Sequence, residues 1–214
     1  MSSASSRRAR KAQESRVRII ECAGALFASR GHEETTMSDI GECADVSRAT
    51  VFNYFPRKED IVIGWFDSQR GVLAGVMAHD KSQRLDTSGR LRRAFRALAG
   101  IFEDNPKVGR GMVRAWLHAG GPMLTPESDT TRLFAEEVRA GRERGEVAGD
   151  ADPDRVGHLL FDAYLGVLYR WVTMPRLDLE KELLAVLETV LRGIAAPAAA
   201  RRQSSRRSSS ADSA

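Results

Sequence analysis

Three times along this sequence a polar capping residue stands directly before a proline: Asn105-Pro106, Thr125-Pro126 and Asp152-Pro153. Proline is tolerated at the first helical position, where its missing N–H has no intrahelical partner, and Asn, Thr and Asp are side chains that cap that end. Each pair therefore marks a helix start. Around these marks, apolar residues at helical spacing predict helices at 16–30, 38–44, 48–54, 57–79, 88–104, 106–119, 126–144, 153–173 and 178–195. Gly31 is a natural stop for the first, and Pro175 and Pro197 follow the ends of two others. No alternating strand pattern of useful length occurs, and there is no internal repeat. The body is expected to be all-α.

Short helices fill the first sixty residues and long ones the rest. That asymmetry predicts a small three-helix module at 16–60, joined to a larger helical bundle at 61–196 through the helix beginning near Arg57. A long shared helix could transmit movement between them. Charge marks off the ends. Residues 1–18 hold six basic side chains and one acidic, and residues 197–214 hold four and one. The chain carries +4 in all, so residues 19–196 carry −4. Residues 1–15 are expected to be a disordered basic arm and 197–214 a disordered Ser/Arg-rich tail, both able to attract phosphate without reading sequence.

Composition and motifs remove several classes of function. A hydrophobic fraction of 42% with 29% charged residues is enough for a sizeable core. No apolar run approaches the roughly 18–20 residues of a membrane span, and no apolar signal-type segment follows the basic start. A cytoplasmic, reduced setting and no membrane partner are expected. Cys22 and Cys43 cannot by themselves make a disulfide framework or a four-ligand zinc site, and Cys43 reads as a small core residue. His32, His79, His118 and His158 are scattered, without HExxH, a Gly-rich phosphate loop or GxSxG. No enzyme activity, cofactor or metal is expected, and DADPD at 150–154 reads as a helix cap.

The segment TMSDIGECADVSRATVFNYF, residues 36–55, carries the chemistry. Thr36 and Asp39 have capping-box spacing, and Ile40 and Ala44 give the short helix one apolar face. Asp45 sits where a tight turn needs a left-handed residue, and Ser47 can cap the next helix, whose Val51 and Phe55 share a face. Two short helices joined this way are a helix-turn-helix. The second presents Arg48, Ala49, Thr50, Asn53 and Tyr54 outward. Arg and Asn are the side chains that read guanine and adenine edges through paired hydrogen bonds.

With its flanks, an amphipathic helix ending in SRG and then TTMSDIGECADVSRATVFNYFPRKEDIV, this stretch resembles the tetracycline-repressor (TetR) family over about residues 16–62. GEVAGDADPDRVGHLLFDAYLGVLYRW is similar to that family's penultimate helix and its lead-in. The resemblance implies an N-terminal helix-turn-helix DNA-binding domain followed by a ligand-binding and dimerisation bundle. It further implies a homodimeric regulator of double-stranded operator DNA, usually a repressor released by a small-molecule effector. By position it makes Thr36, Ser47, Tyr54 and Lys58 phosphate contacts and Arg48, Ala49, Thr50 and Asn53 base-facing. Phe52 stands where the family usually has Tyr, and Arg57 where Ser or Asn usually caps the fourth helix, which is expected to weaken that cap. These departures leave one alternative: a helical small-molecule- or partner-binding protein with a vestigial helix-turn-helix.

In the larger domain, Val156, Leu159, Leu160, Ala163, Tyr164, Val167, Leu168 and Trp171 form a stripe wider than one buried face needs. The last helix carries Leu183, Leu187, Val190 and Ile194 on one face, with Leu184 and Leu191 beside it. These last two long helices are expected to form a twofold four-helix interface, with Gly166 permitting close approach. Phe102, Met112, Trp116, Phe134 and Tyr164, part of an aromatic and methionine group that includes Phe95 and Met123, are candidate lining residues for an apolar ligand cavity.

Overall fold

The computed structural model describes residues 2–80, 85–118 and 129–195. Nine helices stand among them: α1 (Ser2–Arg30), α2 (Met37–Cys43), α3 (Arg48–Tyr54), α4 (Lys58–Asp80), α5 (Thr87–Glu103), α6 (Pro106–His118), α7 (Asp129–Glu143), α8 (Pro153–Thr173) and α9 (Leu179–Ile194). The fold is all-α; the β-type pairing is a single bridge between Val147 and Ala195 among the described residues. The Thr125-Pro126 start, Met123, Pro197 and the tail at 197–214 lie outside them.

Local chemistry explains most helix ends. Gly31 takes φ 89° and donates its N–H to the Phe27 carbonyl at 3.0 Å, which closes α1. Asn105 Oδ1 accepts from Val108 N at 3.3 Å, and Asp152 Oδ1 accepts from Asp154 N at 3.0 Å, ahead of their prolines. The start of α1 corrects the expectation of a disordered arm at 1–15, because the helix begins at Ser2. Its cause is propensity: Ala, Arg, Lys, Gln and Glu dominate residues 7–14, and the first glycine is Gly24. A helix nucleated by the buried residues Ile19, Ile20 and Ala23 has nothing upstream to stop it.

The chain packs as two compact units. The first comprises Met1–Gln69 with Ile101–Pro122; the second comprises Arg70–Gly100 with Met123–Ala214. This packing division differs from a boundary near residue 60, because α6 lies against α1. In the first unit Phe27, Ile40, Val51 and Phe55 form the core of the small helices. Trp65 meets Phe102 edge-on at 5.3 Å between ring centroids, and Phe66 meets Trp116 at 5.8 Å. In the second unit Phe95 and Phe134 stack at 5.4 Å, and α8 and α9 bury Leu160, Leu168, Trp171, Leu183 and Leu187. Arg92 and Arg96 of α5 pair with Glu188 and Glu180 of α9.

Cys22 of α1 and Cys43 of α2 are joined by a disulfide, and Cys43 is exposed. This corrects the expectation of free thiols with Cys43 in the core. The two helices cross with these Cα atoms 5.8 Å apart, within the span a bridge needs, a closeness that spacing along the chain does not reveal.

The α1–α6 crossing depends on Gly111. A Cβ there would lie 2.1 Å from the Gly24 carbonyl oxygen and 2.8 Å from Ala28 N. Both are backbone atoms, so no rotamer change relieves the clash. Gly111→Ala gains about 1 kcal/mol of helix propensity but overpacks at a cost of about 1–3 kcal/mol or more. A net loss is expected. Gly75→Ala on the exposed side of α4, where a Cβ meets nothing within 4 Å, should instead gain up to about 1 kcal/mol. Urea denaturation of both variants checks the opposite signs; two gains would remove the close crossing.

Candidate nucleic-acid interface

The turn between α2 and α3 is built by side chains that sequence already placed there. Thr36 Oγ1 accepts from Asp39 N at 3.1 Å while Asp39 Oδ2 accepts from Thr36 N at 2.9 Å, a complete capping box. Those bonds from Thr36 hold the Asp39 carboxyl below its ordinary range. Asp45 takes φ 52°, the left-handed conformation the turn requires. Val46 N then reaches the Gly41 carbonyl at 2.9 Å, and a Cβ on Gly41 would stand 3.0 Å from the Val46 oxygen. Ser47 Oγ accepts from Thr50 N at 3.0 Å and starts α3.

Buried Val51 fixes the inner face of α3, and the opposite face is left to solvent. Arg48, Ala49 and Asn53 are exposed; Thr50 and Tyr54 are half-buried. The Arg48 guanidinium carbon lies 5.3 Å from the Phe52 ring centroid, so Phe52 supports that arginine through a cation–π contact. Thr36, Ser47 and Thr50 are already engaged in capping: the Ser47 and Thr50 hydroxyls are 2.8 Å apart, and Thr36 Oγ1 donates to Asp39 at 2.8 Å.

Lys58 and Arg57 both make contacts within the chain. Lys58 Nζ donates to the carbonyls of His32 at 2.6 Å and Glu33 at 3.2 Å, so two of its three N–H bonds tie down the loop after α1. The α4 start carries half of a capping box. Arg57 N donates to Asp60 Oδ2 at 2.9 Å and its guanidinium reaches Asp60 Oδ1 at 2.9 Å. Asp60 thus satisfies the Arg57 N–H from three residues ahead, and the Arg57 bond holds its carboxyl below the ordinary range.

Beside α3 lies an open groove of about 330 Å³ lined by Arg8, Lys11, Ala12, Glu14, Ser15, Arg18 and Tyr54. The basic residues of α1 are thus brought to the end of α3. Residue-by-residue reasoning missed this placement, although the six basic residues in 1–18 were the available signal.

The candidate ligand residues divide between the units: Phe102, Met112 and Trp116 in the first, Phe134 and Tyr164 in the second. All five are buried. Burial pushes the Tyr164 phenol well above its ordinary value. A cavity of about 360 Å³ in the second unit is lined instead by Ala74, Met77, Ala78, Arg90, Leu133, Glu136, Glu137, Ala140 and Arg144. Its polar wall is a network. Arg144 Nη2 donates to Glu137 Oε1 at 2.8 Å and to Thr87 Oγ1 at 2.9 Å, and Thr87 donates to Glu146 Oε2 from both N and Oγ1. Burial raises the Glu146 carboxyl, but the Thr87 bonds and the Arg144 charge outweigh it and hold it below its ordinary value.

Comparison with known proteins agrees with this geometry. The profile of the bacterial regulatory proteins, tetR family, matches residues 19–63, from the core of α1 through the helix-turn-helix into α4. The transcriptional regulator TtgR of Pseudomonas putida is 26% identical over 179 residues, covering 77% of this chain and 83% of that protein. The repressor KstR of Mycobacterium tuberculosis is 26% identical over 190 residues, covering 80% and 81%. The crystal structure of FadR from Thermus thermophilus, a TetR-family transcriptional repressor in complex with lauroyl-CoA, is 32% identical with a TM-score of 0.61, covering 83% of this chain and 94% of that one. The chain belongs to the tetR family of bacterial regulatory proteins.

Proposed function

We propose that this chain is a homodimeric repressor that binds operator DNA through α3 and is released by a small molecule. The observation that carries the DNA reading is the exposed face of α3. Arg48, Ala49 and Asn53 stand together on a helix fixed by the Ser47 cap and the Asp45 turn, with Arg8, Lys11 and Arg18 beside it. Arg48, Ala49, Thr50 and Asn53 face the bases, Arg48 and Asn53 reading their edges; Thr36, Ser47 and Tyr54 meet the backbone around them, and Lys58 does so with its remaining N–H. Residues 16–60 form the DNA-binding domain and 61–196 the ligand-binding and dimerisation domain. No helix among the described residues is long and apolar enough to cross a membrane.

The test is fluorescence anisotropy on duplexes from the region beside the gene, titrated with salt. Arg48→Ala and Asn53→Ala should each cost about 1–3 kcal/mol on the specific site and little on random duplex. Equal losses on all sequences would reassign both residues to phosphate. Half-sites should lie about 34–36 Å apart or a multiple of that.

The effector site is the cavity of about 360 Å³ in the second unit, within the range of small-molecule pockets. Met77 and Leu133 offer apolar wall, and Arg90 and Arg144 offer cations to a polar end. FadR from Thermus thermophilus was crystallised with lauroyl-CoA, and SmeT of Stenotrophomonas maltophilia with triclosan, which supports an effector with an apolar part. Dimerisation uses the outer face of α8. Leu159, Asp162, Gly166 and Tyr169 follow one another at helical spacing there, all exposed in the single chain.

A further inference from the structure

The four histidines follow no metal motif along the chain, yet the fold brings two of them to one place. His32 follows the Gly31 stop of α1, and its ring packs on Phe27 at 5.0 Å between centroids. The His118 ring, in the last turn of α6, lies 5.8 Å away. His118 Nε2 stands 2.6 Å from Glu33 Oε1. One nitrogen or oxygen from each of His32, Glu33 and His118 lies within 4.8 Å of the others. All of this is within the first unit.

A hydrogen bond between the exposed Glu33 and His118 side chains accounts for one of these contacts but leaves His32 unexplained. Its side chain is only 5% exposed, and neither ring nitrogen has a hydrogen-bond partner among the described residues. Buried polar atoms are rarely left so. The nitrogens nonetheless face in chosen directions. Nδ1 is 3.9 Å from Glu33 Oε1, on the His118 side, and Nε2 is 3.7 Å from Glu59 Oε1. A metal-bound imidazole has this arrangement, with one nitrogen on the ion and the other N–H aimed at a carboxylate.

We propose that His32, Glu33 and His118 form a binding site for a divalent transition-metal ion of the zinc type, with Glu59 orienting His32. Two imidazoles and one carboxylate are a donor set that zinc accepts with a fourth position left open. Bonds of about 2.0–2.2 Å in a tetrahedral set hold donors roughly 3.4 Å apart, so Glu33 and His118 must open from their 2.6 Å contact while closing on His32. Glu33 and His118, with side chains 69% and 54% exposed, have room to swing, whereas His32 is fixed. Lys58 holds the His32 and Glu33 carbonyls, and Thr35 Oγ1 donates to the Gly31 carbonyl at 2.7 Å. The ion would link the loop after α1 to the end of α6.

The test uses the untagged full-length chain, stripped with chelator and titrated with Co²⁺ as a spectroscopic probe. The expected result is one equivalent giving visible absorption of four-coordinate Co²⁺, displaced by Zn²⁺, with Zn²⁺ also raising the melting temperature. His118→Ala and Glu33→Gln, both at exposed side chains, should abolish the absorption while circular dichroism stays helical. His158→Ala should leave it intact, and Glu59→Gln should weaken affinity about 10–100-fold. No absorption at stoichiometric Co²⁺, or absorption that survives His118→Ala and Glu33→Gln, would overturn the assignment.

Discussion

Arginine at Leu187 is expected to unfold the chain, and arginine at Leu159 to leave it folded but monomeric. The two leucines belong to the two helices assigned to the dimer, yet the fold treats them oppositely. Leu187 of α9 is 0% exposed within a single chain, whereas Leu159 of α8 is 50% exposed. Removing the first forfeits about 1.5–3 kcal/mol of side-chain burial. The guanidinium then enters an apolar interior at a further penalty of several kcal/mol. Together these rival the roughly 5–15 kcal/mol that holds a domain folded. At Leu159 the same arginine stays in water in the monomer and is buried only when two copies meet. Sedimentation and circular dichroism separate the outcomes. A dimeric Leu159→Arg protein would move the interface off this face of α8, and a folded Leu187→Arg protein would contradict the packing of α9.

That contrast shows what hydrophobic periodicity can and cannot say. The apolar stripes on α8 and α9 were visible because side chains recur with the helical period, and both helices formed where the caps and prolines put them. Which leucine faces the chain's own core and which faces outward depends on helices distant in sequence. Leu183 and Leu187 turned inward, whereas Leu159, Asp162, Gly166 and Tyr169 of α8 stay exposed in the single chain.

The helix-turn-helix was legible almost residue by residue because its determinants are local. The Thr36–Asp39 box, the left-handed Asp45 and the Ser47 cap each act over three or four residues. At Arg57 the side-chain acceptor is missing as expected, and what the single position did not show is Asp60, three residues on, which accepts from Arg57 N. The cysteine bridge and the His32–Glu33–His118 cluster join segments 21 to 86 residues apart, and pattern along the chain carries no trace of either. The residues around the second unit's cavity are hard to read from sequence for a related reason. Large aromatics such as Phe102 and Phe134 fill space completely, and the space left open is bounded by alanines and by charged side chains braced against one another.

Those braced charges support the remaining large effect: Glu137→Ala should lower stability by about 3–5 kcal/mol, the usual penalty for removing one partner from a buried ion pair. Glu137 on α7 is 6% exposed and accepts from Arg144 Nη2 at 2.8 Å, while Arg90 Nη1 lies 3.5 Å from the same oxygen. Arg144 keeps Glu146 when Glu137 is lost, with its Nε 3.2 Å from Glu146 Oε2. Arg90 is the group left exposed to the full desolvation cost, since its side chain is only 11% exposed. Glu137→Gln should cost less, because it keeps an oxygen to accept from Arg144. Replacing Arg90 and Glu137 together by Met and Leu should recover most of the loss, because the penalty arises from the unpaired charge rather than from the absent attraction. Acid should act on the same network through Glu146. Its folded pKa is depressed, so its contribution is present above the ordinary carboxylate range and is lost as pH falls through the lowered value. Urea midpoints at constant m-value, measured for all three variants at neutral pH and for the wild type as pH is lowered, check each step. A loss below about 1 kcal/mol for Glu137→Ala would mean that the pair behaves as a solvated surface bridge and that water reaches this wall of the cavity.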